Sequence, residues 1–254
     1  MPEGHLIHHY AATQQEGLLG ETVVTSPQGR FREAPVLSGR RLERIEPYGK
    51  HLFYWWDHGV VHVHLGMQGL FLHHAEPAPA PRRQVRLRVA GPALVVDLIA
   101  PIQCDLGTPV ERDAVVGRLG PDPLRPDADA DLVQAGLRQR RQSIGAALLD
   151  QRLVSGIGNV IRAEALHAAR LHPRRPANSL THSEFATLWT HVVRIMRDAA
   201  TVGRIVTAQR PDGGDRNVYK QQTCGTCGRP VEAFDLSGRT AYACPFDQPL
   251  GAPG

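Results

Sequence analysis

Four residues near the C-terminus have the spacing of a metal site. Cys224-x2-Cys227 is followed, after sixteen residues, by Cys244-x2-Asp247. Paired knuckles at this separation bring four ligands together tetrahedrally around zinc. The fourth position is a carboxylate, which can ligate zinc at about 2.0–2.2 Å. A site of three thiolates and one carboxylate is therefore feasible, and with no open position implied the metal is structural. The alternative is a metal-free hairpin carrying three thiols. Cys104 is remote from the others in sequence and reads as a small buried side chain rather than a ligand.

Two further groups could do chemistry. The chain begins Met1-Pro2-Glu3-Gly4. Methionine before a small residue is readily removed, which leaves Pro2 as a secondary amine; with Met1 in place its nitrogen is an amide and cannot attack. An α-amino group titrates near pH 8, well below a lysine, so more of it is unprotonated at neutral pH. Attack on an aldehyde-like carbon gives an iminium directly, and Glu3 beside it can transfer protons. The bland alternative is that Pro2 and Glu3 simply start a helix. The turn Gly156-Ile157-Gly158-Asn159 bends the backbone tightly before a helix, with Asn159 read as the N-cap. Amides at such a helix start favour an anion, and phosphate suits a basic protein. A plain helix–turn–helix is the competing reading.

These groups need elements to hold them. Apolar spacing predicts a helix over residues 3–19, then strands at 21–25, 41–45, 51–56, 60–65, 85–89 and 94–99, separated by turn signals. Residues 75–81 are Pro/Ala-rich and read as an exposed loop. The punctuation Gly120-Pro121-Asp122-Pro123-Leu124-Arg125-Pro126 precedes a helical half, with helices near 130–138, 143–150, 160–169 and 183–201. Residues 203–216 read as a flexible loop before a cysteine-bearing β-hairpin. The expected class is α+β and multidomain: an N-terminal β-sandwich with a leading helix, then a helical domain and a zinc-finger-like hairpin. The divisions are a β-sandwich domain over 1–118, a linker over 119–130, a helical domain over 131–216 and the hairpin with its tail over 217–254.

Composition narrows the class further. The 254 residues carry 29 Lys+Arg against 25 Asp+Glu, a net charge of +4, with a pI near 9.1 and mean hydropathy of −0.27. No apolar run approaches the ~20 residues that span a bilayer, and Glu3, His5, His8 and His9 interrupt any signal-peptide core. Four cysteines in this length exclude a disulfide scaffold and point to metal in a reducing compartment. Only two of the 29 basic residues are lysines, Lys50 and Lys220.

Six motifs in order, Met1-Pro2-Glu3-Gly4, Gly49-Lys50-His51-Leu52, His64-Leu65-Gly66-Met67-Gln68-Gly69, Leu119-Gly120-Pro121-Asp122-Pro123-Leu124, residues 148–159 and the cysteine hairpin, resemble the formamidopyrimidine-DNA glycosylase / endonuclease VIII family of base-excision repair enzymes. The resemblance covers nearly the whole chain. It implies that the helical domain holds a helix–two-turn–helix motif, and that damaged DNA is the partner of a cytoplasmic, nucleoid-associated monomer that needs no catalytic cofactor. It further implies that Pro2 attacks C1′ of a damaged nucleoside, expels the base and cleaves the strand by β,δ-elimination, with Glu3 and Lys50 as its catalytic companions. Met67 matches the wedge that fills the gap left by a flipped nucleotide, its alternative being core packing. Asn159 matches a phosphate-binding residue, and Arg239 in Ser237-Gly238-Arg239-Thr240 matches the hairpin arginine that grips a phosphate. Lys220, just before the knuckles, is a further phosphate contact. Cys224, Cys227, Cys244 and Asp247 match the zinc ligands, with Asp247 departing from cysteine.

Other departures refine the expectation. Position 6 is Leu where many members of the formamidopyrimidine branch have a second glutamate. Ala100-Pro101-Ile102-Gln103-Cys104-Asp105-Leu106-Gly107 replaces the family's Asp-Pro-Arg-Arg-Phe-Gly, removing an arginine and an aromatic that read the opposite base. With Gly4-His5, this points to the endonuclease VIII side, an actinobacterial-type subgroup, and to oxidised pyrimidines. A second reading is a DNA-binding paralogue that has lost base excision and keeps binding or lyase activity. A third, an unrelated zinc-ribbon adaptor, leaves the N-terminal motif unexplained.

Overall fold

The computed structural model describes residues 2–210 and 213–250. The chain divides into two compact units, Met1–Arg118 and Leu119–Gly254.

The first unit opens with α1 (Gly4–Leu18), whose buried Ile7, Ala11, Gln14 and Leu18 form one stripe at helical spacing. Eight strands follow: β1 (Gly20–Thr25), β2 (Arg40–Tyr48), β3 (His51–Trp56), β4 (Gly59–His64), β5 (Leu70–His74), β6 (Val85–Ala90), β7 (Val95–Ile99) and β8 (Gln103–Gly107). Their order is β5-β7-β6-β1-β2-β3-β4-β8. Strand β1 belongs to both halves: Gly20–Thr22 pair antiparallel with β2, and Val23–Thr25 with β6. The sheet so folds into a sandwich. Leu42, Ile45, Leu52, Tyr54, Val61 and Val63 from one layer share a core with Phe71, Leu87, Val89, Val96 and Leu98 from the other.

Three polar groups inside this core find fixed partners, as burial favours. Tyr54 donates its hydroxyl to Gln14, and Trp56 Nε1 donates to Thr22 Oγ1 at 3.1 Å. Asp97, 1% exposed, receives both Nε and Nη2 of its cross-strand partner Arg88 at 2.6 and 2.7 Å. That two-pronged pairing is the geometry in which a buried carboxylate is best compensated.

Four elements of this unit were not expected. Strand β5 (Leu-Phe-Leu-His-His) lacks clean alternation, and β8 lies at the sheet edge with Cys104 alone buried. The helix α2 (Ala34–Leu37) is a single turn. The helix α3 (Pro109–Val116) buries no residue and so shows no apolar stripe; it depends on its cap, Thr108 and Glu111 bonding each other's backbone N–H.

The second unit contains α4 (Ala130–Arg138), α5 (Ile144–Ala147), α6 (Asn159–Ala168), a 3-10 turn at Ala177–Ser179, α7 (His182–Val202), and the hairpin β9 (Glu232–Leu236) with β10 (Arg239–Ala243). The helix expected over 143–150 shortens to four residues, beyond which Leu149 N and Asp150 N bond to the third residue back instead of the fourth. Residues Leu119–Leu124 pack on the chain before α6: Gly120 N donates to Gln151 O, and Ser155 N to Pro121 O. A Cβ on Gly120 would stand 2.3 Å from Leu153 backbone, so only glycine fits there. Among the described residues, 203–216 form no helix or strand, yet the loop is tied across its base by Thr207 N to Asp215 O at 2.8 Å. Pro211 and Asp212 lie outside the described residues.

One carboxylate fixes the chain leading to the hairpin. Glu164 on α6, 1% exposed, accepts from the backbone N–H groups of Asn217, Val218 and Tyr219 at 2.9, 3.0 and 2.8 Å, and from the Thr207 hydroxyl. Replacing Glu164 with Ala strands several buried donors and is expected to destabilise this unit by about 3 kcal/mol. Chemical denaturation measures this, and an unchanged midpoint would refute the assigned anchoring role.

Candidate functional site

Pro2 and Glu3 lie at the entry to α1, with Glu3 fully buried and its backbone extended. Along α1, Gln14 meets His73 at 3.2 Å and the Tyr10 ring stands 5.1 Å from Phe71. Side chains of the helix thus reach β5 at Phe71 and His73, while the helix itself packs mainly on β2. Lys50 occupies the two-residue turn between β2 and β3, where Gly49 takes φ +55°. His51, next to Lys50, pairs with His64, the last residue before the Met67 turn, and His64 pairs with Gln103. The sheet register thus brings Lys50, Met67 and the 100–102 turn to one end of the sheet.

Met67 is 72% exposed, which excludes core packing. Its turn is held by Gly66, whose φ is +66° and whose N–H donates to His64 Nδ1 at 3.1 Å. Ile102, also 72% exposed, rests on Gly66 so closely that a Cβ there would stand 2.5 Å from it. Two exposed apolar residues therefore lie in neighbouring turns, Ile102 against the glycine that precedes Met67. Sequence reasoning assigned no role to Ile102, since a lone apolar residue in a loop carries no periodic signal.

The outer face of β3 and β4 holds a second feature not read from sequence. His51 Nδ1 and His62 Nε2 are 2.8 Å apart, the His51 and His64 rings 4.7 Å, and the Phe53 and His62 rings stack at 4.7 Å. Burial, then the neighbouring His64, His62 and Lys50, push His51 down to about 3. Burial and His64 push His62 down to about 4 against the opposing pull of Asp105. Burial and Lys50 also lower His64. These rings are neutral at physiological pH and leave Lys50 the positive group beside them.

In the second unit, Gly156 (φ +86°) turns the chain into α6. Gln151 clamps that turn, accepting from Gly156 N at 3.0 Å and donating to Ile157 O at 3.1 Å. The helix cap falls to Gly158, not Asn159, and no side chain caps the end. Asn159 is the first helical residue and uses its amide sideways, Nδ2 donating to Thr240 O of the hairpin at 3.0 Å. Arg162, 1% exposed, bonds the Asn159 side chain and donates to the same Thr240 oxygen at 2.9 Å. Ser237 and Gly238 at the hairpin tip have φ of +55° and +76°, the two-residue turn that matches strand twist, and Arg239 follows it exposed. Lys220 is exposed, with its Nζ 5.7 Å from the Tyr219 ring centre.

Cys224, Cys227, Cys244 and Asp247 offer four ligand atoms within 4.8 Å of one another and can hold a metal ion. The Cys227–Cys244 sulfurs are 3.5 Å apart, and Cys224 Sγ is 3.1 Å from Asp247 Oδ2. Tetrahedral zinc–sulfur bonds of about 2.3 Å separate two sulfurs by about 3.8 Å, so the cluster fits with changes in separation of up to about one ångström. Burial raises the Asp247 carboxyl, but hydrogen bonds from Cys224, Cys227 and His167 outweigh it and hold the group below its usual range. Gln248 braces the second knuckle, its Oε1 accepting from Cys244 N and its Nε2 donating to Leu171 O. Cys104 is buried in the first unit, its thiol pushed up to about 12 mainly by burial, away from this cluster.

A β-sandwich with its own helix, and a helical unit whose turn before α6 is bonded to a cysteine hairpin, define a two-part architecture with a defined set of known relatives. The formamidopyrimidine-DNA glycosylase N-terminal domain profile matches residues 1–97, and the formamidopyrimidine-DNA glycosylase H2TH domain profile matches 119–210. Endonuclease 8 1 of Mycobacterium tuberculosis is 38% identical over 267 residues, covering 98% of this chain and all of that one. Formamidopyrimidine-DNA glycosylase of Thermus thermophilus is 32% identical over 255 residues, covering 92% of this chain and 93% of that one. The chain belongs to the formamidopyrimidine-DNA glycosylase / endonuclease VIII family. Among solved structures, MutM (Fpg) of Thermus thermophilus superposes with a TM-score of 0.79 at 29% identity, covering 99% of this chain and 100% of that one. The Lactococcus lactis formamidopyrimidine-DNA glycosylase, non-covalently bound to DNA containing an abasic site, shares the fold with a TM-score of 0.82 at 21% identity, covering 97% and 99%.

The histidine face carries a pH dependence with a definite sign. His51 and His62 titrate lower in the folded chain than their ordinary value of 6.5. Between about 6.5 and 4 the unfolded chain binds protons that the folded one refuses, so stability falls as pH falls through that window. His62→Gln keeps a hydrogen-bond partner for His51 but cannot titrate. Urea denaturation from pH 7 to 4.5 is expected to show a shallower loss of stability in this variant, by about one proton near pH 5. Identical slopes in both proteins would contradict it.

Proposed function

We propose that this chain is a bifunctional DNA glycosylase and abasic-site lyase of base-excision repair. It belongs to the endonuclease VIII side and acts as a monomer on damaged DNA in the bacterial cytoplasm. The observation that carries this reading is Pro2-Glu3 at the start of α1 combined with Lys50 and Met67 at one end of the sheet, within a chain of this family. No described helix is long and apolar enough to cross a membrane. The β-sandwich unit is the catalytic domain. Residues 131–216, with the helix–two-turn–helix, and residues 217–254, with the hairpin, grip the DNA backbone.

After removal of Met1, the Pro2 nitrogen attacks C1′ of the damaged nucleoside. The glycosidic bond breaks and the base leaves with its electron pair, taking up a proton. The bound amine gives up its proton and the sugar ring opens at C1′–O4′, its oxygen leaving as the 4′ hydroxyl, so that nitrogen and C1′ become an iminium. This acidifies the C2′ protons; loss of one expels the 3′ phosphate, and a second elimination expels the 5′ phosphate. Glu3, enclosed by the fold, and Lys50 are suited to hold and pass these protons. Met67 fills the space left by the flipped nucleotide. Ile102, packed on Gly66 in the same turn region, offers no side-chain hydrogen-bond donor and so little means of reading the opposite base; with Gly4-His5 this supports oxidised pyrimidines as substrates. Asn159, Lys220 and Arg239 hold phosphates. Cys224, Cys227, Cys244 and Asp247 hold one structural zinc, whose contribution is to fix the hairpin; three thiolates favour zinc over harder cations.

Borohydride trapping on an oligonucleotide with one abasic site tests the nucleophile. Protein with a verified free Pro2 is expected to form a covalent adduct that Pro2→Gly loses. Absence of an adduct with the unaltered protein would sink the lyase reading, and an adduct on abasic DNA without release of oxidised pyrimidines would reduce the enzyme to a lyase. For the metal, elemental analysis is expected to find one zinc per chain and substantially less in Asp247→Ala; equal content in both would remove Asp247 from the ligand set.

A further inference from the structure

The metal cluster has a fifth neighbour that does not come from the hairpin. Helix α6 directs His167 at the cluster, with the residue 6% exposed. Its Nε2 stands 3.2 Å from Cys224 Sγ and 3.5 Å from Asp247 Oδ2. The four atoms that converge on a common centre are those of Cys224, Cys227, Cys244 and Asp247. His167 stands outside that set, within reach of two of its corners.

The chemistry of the fourth position explains why a donor is needed there. Three thiolates and a carboxylate around a dication carry a net charge of −2, in a site where Cys224, Cys244 and Asp247 are buried. A carboxylate oxygen is harder than a thiolate and swings about two side-chain torsions, so it binds zinc well only when oriented. Ligating carboxylates and thiolates are typically held and partly neutralised by hydrogen bonds from just beyond the metal. Thr226 N supplies such a bond at the first knuckle, donating to Cys224 Sγ at 3.4 Å, while Gln248 fixes only the backbone of the second by accepting from Cys244 N. At the carboxylate corner the group in place is His167.

We propose that His167 is a positioning residue of this metal centre: its Nε2–H donates to Asp247 and Cys224 from outside the coordination sphere, and this donor allows a carboxylate to fill the fourth place. The inference rests on the reading of the cluster as a zinc site. It also connects the metal to α6, the helix whose Asn159 and Arg162 bond the hairpin at Thr240.

The test uses the full-length protein and measures zinc affinity by competition with a chromophoric chelator. His167→Phe is expected to lose affinity by about 10–100-fold. His167→Gln, whose amide donates from nearly the same place, is expected to retain most of it. With Asp247→Cys in the background, the effect of His167→Phe should shrink clearly. Should His167→Phe not fold, His167→Asn, whose shorter side chain withdraws the donor, carries the same comparison. X-ray absorption of the zinc protein should show three sulfurs and one oxygen without imidazole scattering. Unchanged affinity in His167→Phe, an equal loss with Asp247→Cys, or imidazole scattering would each overturn the proposal. Failure of the unaltered protein to bind zinc would instead remove the zinc reading beneath it.

Discussion

The second unit depends on a set of polar side chains along one helix, three of them buried and Asn159 half-buried. Over little more than two turns α6 offers Asn159, Arg162, Glu164 and His167, and every one of them is used on chain that comes much later in sequence. Burying a guanidinium and a carboxylate is costly unless each finds fixed partners. Arg162 finds the carbonyls of Gly145 and Thr240, and Glu164 the N–H groups of residues 217–219. The residues after Tyr219 have little apolar core of their own, only a small cluster around Val218, Cys224, Cys244 and Ala163 of α6. The hairpin therefore owes its position to hydrogen bonds whose loss leaves unpaired groups, and to whatever ion the cysteines hold.

The first unit works by a different constraint. Its sandwich closes because β1 pairs with one layer through its first half and with the other through its second. Once that crossing is made, strand register does the rest. The pairing of His51 with His64, and of His64 with Gln103, brings together the turns at Lys50, Met67 and Pro101, which are not neighbours in sequence. The neutral histidines between them pack like aromatics and fix the turn geometry through Gly66 N without adding charge beside Lys50.

Much of this was legible in the residues. The strands at 51–56, 60–65 and 85–89 announced themselves because their apolar residues alternate or run continuously, and α7 because it carries a stripe between a capping box and a left-handed glycine. The ligand set Cys224, Cys227, Cys244 and Asp247 converges in space because a knuckle is a local structure whose spacing dictates its geometry. What escaped were elements with no apolar pattern of their own, one resting on a distant strand and one on a cap. Strand β8 exists because β4 offers an edge, and α3 because of a cap rather than an apolar face. Asn159 looked like a cap by residue type, yet its amide turns toward Thr240, a partner 81 residues away that no local rule anticipates.

The division follows the range of the forces. Residue type and short spacing determined which groups could act: an N-terminal proline beside a glutamate, one lysine retained at position 50 among arginines, an exposed-type methionine in a glycine turn, and a metal-binding knuckle pair. Those properties lie in covalent structure and in contacts across a few residues. Only the tertiary structure decided that Ile102 rests on Gly66 in the Met67 turn, that the histidines of β3 and β4 lose their charge to burial, and that His167 meets Asp247. Each of those is set by desolvation and by the approach of distant chain, and the sequence carries no local record of either.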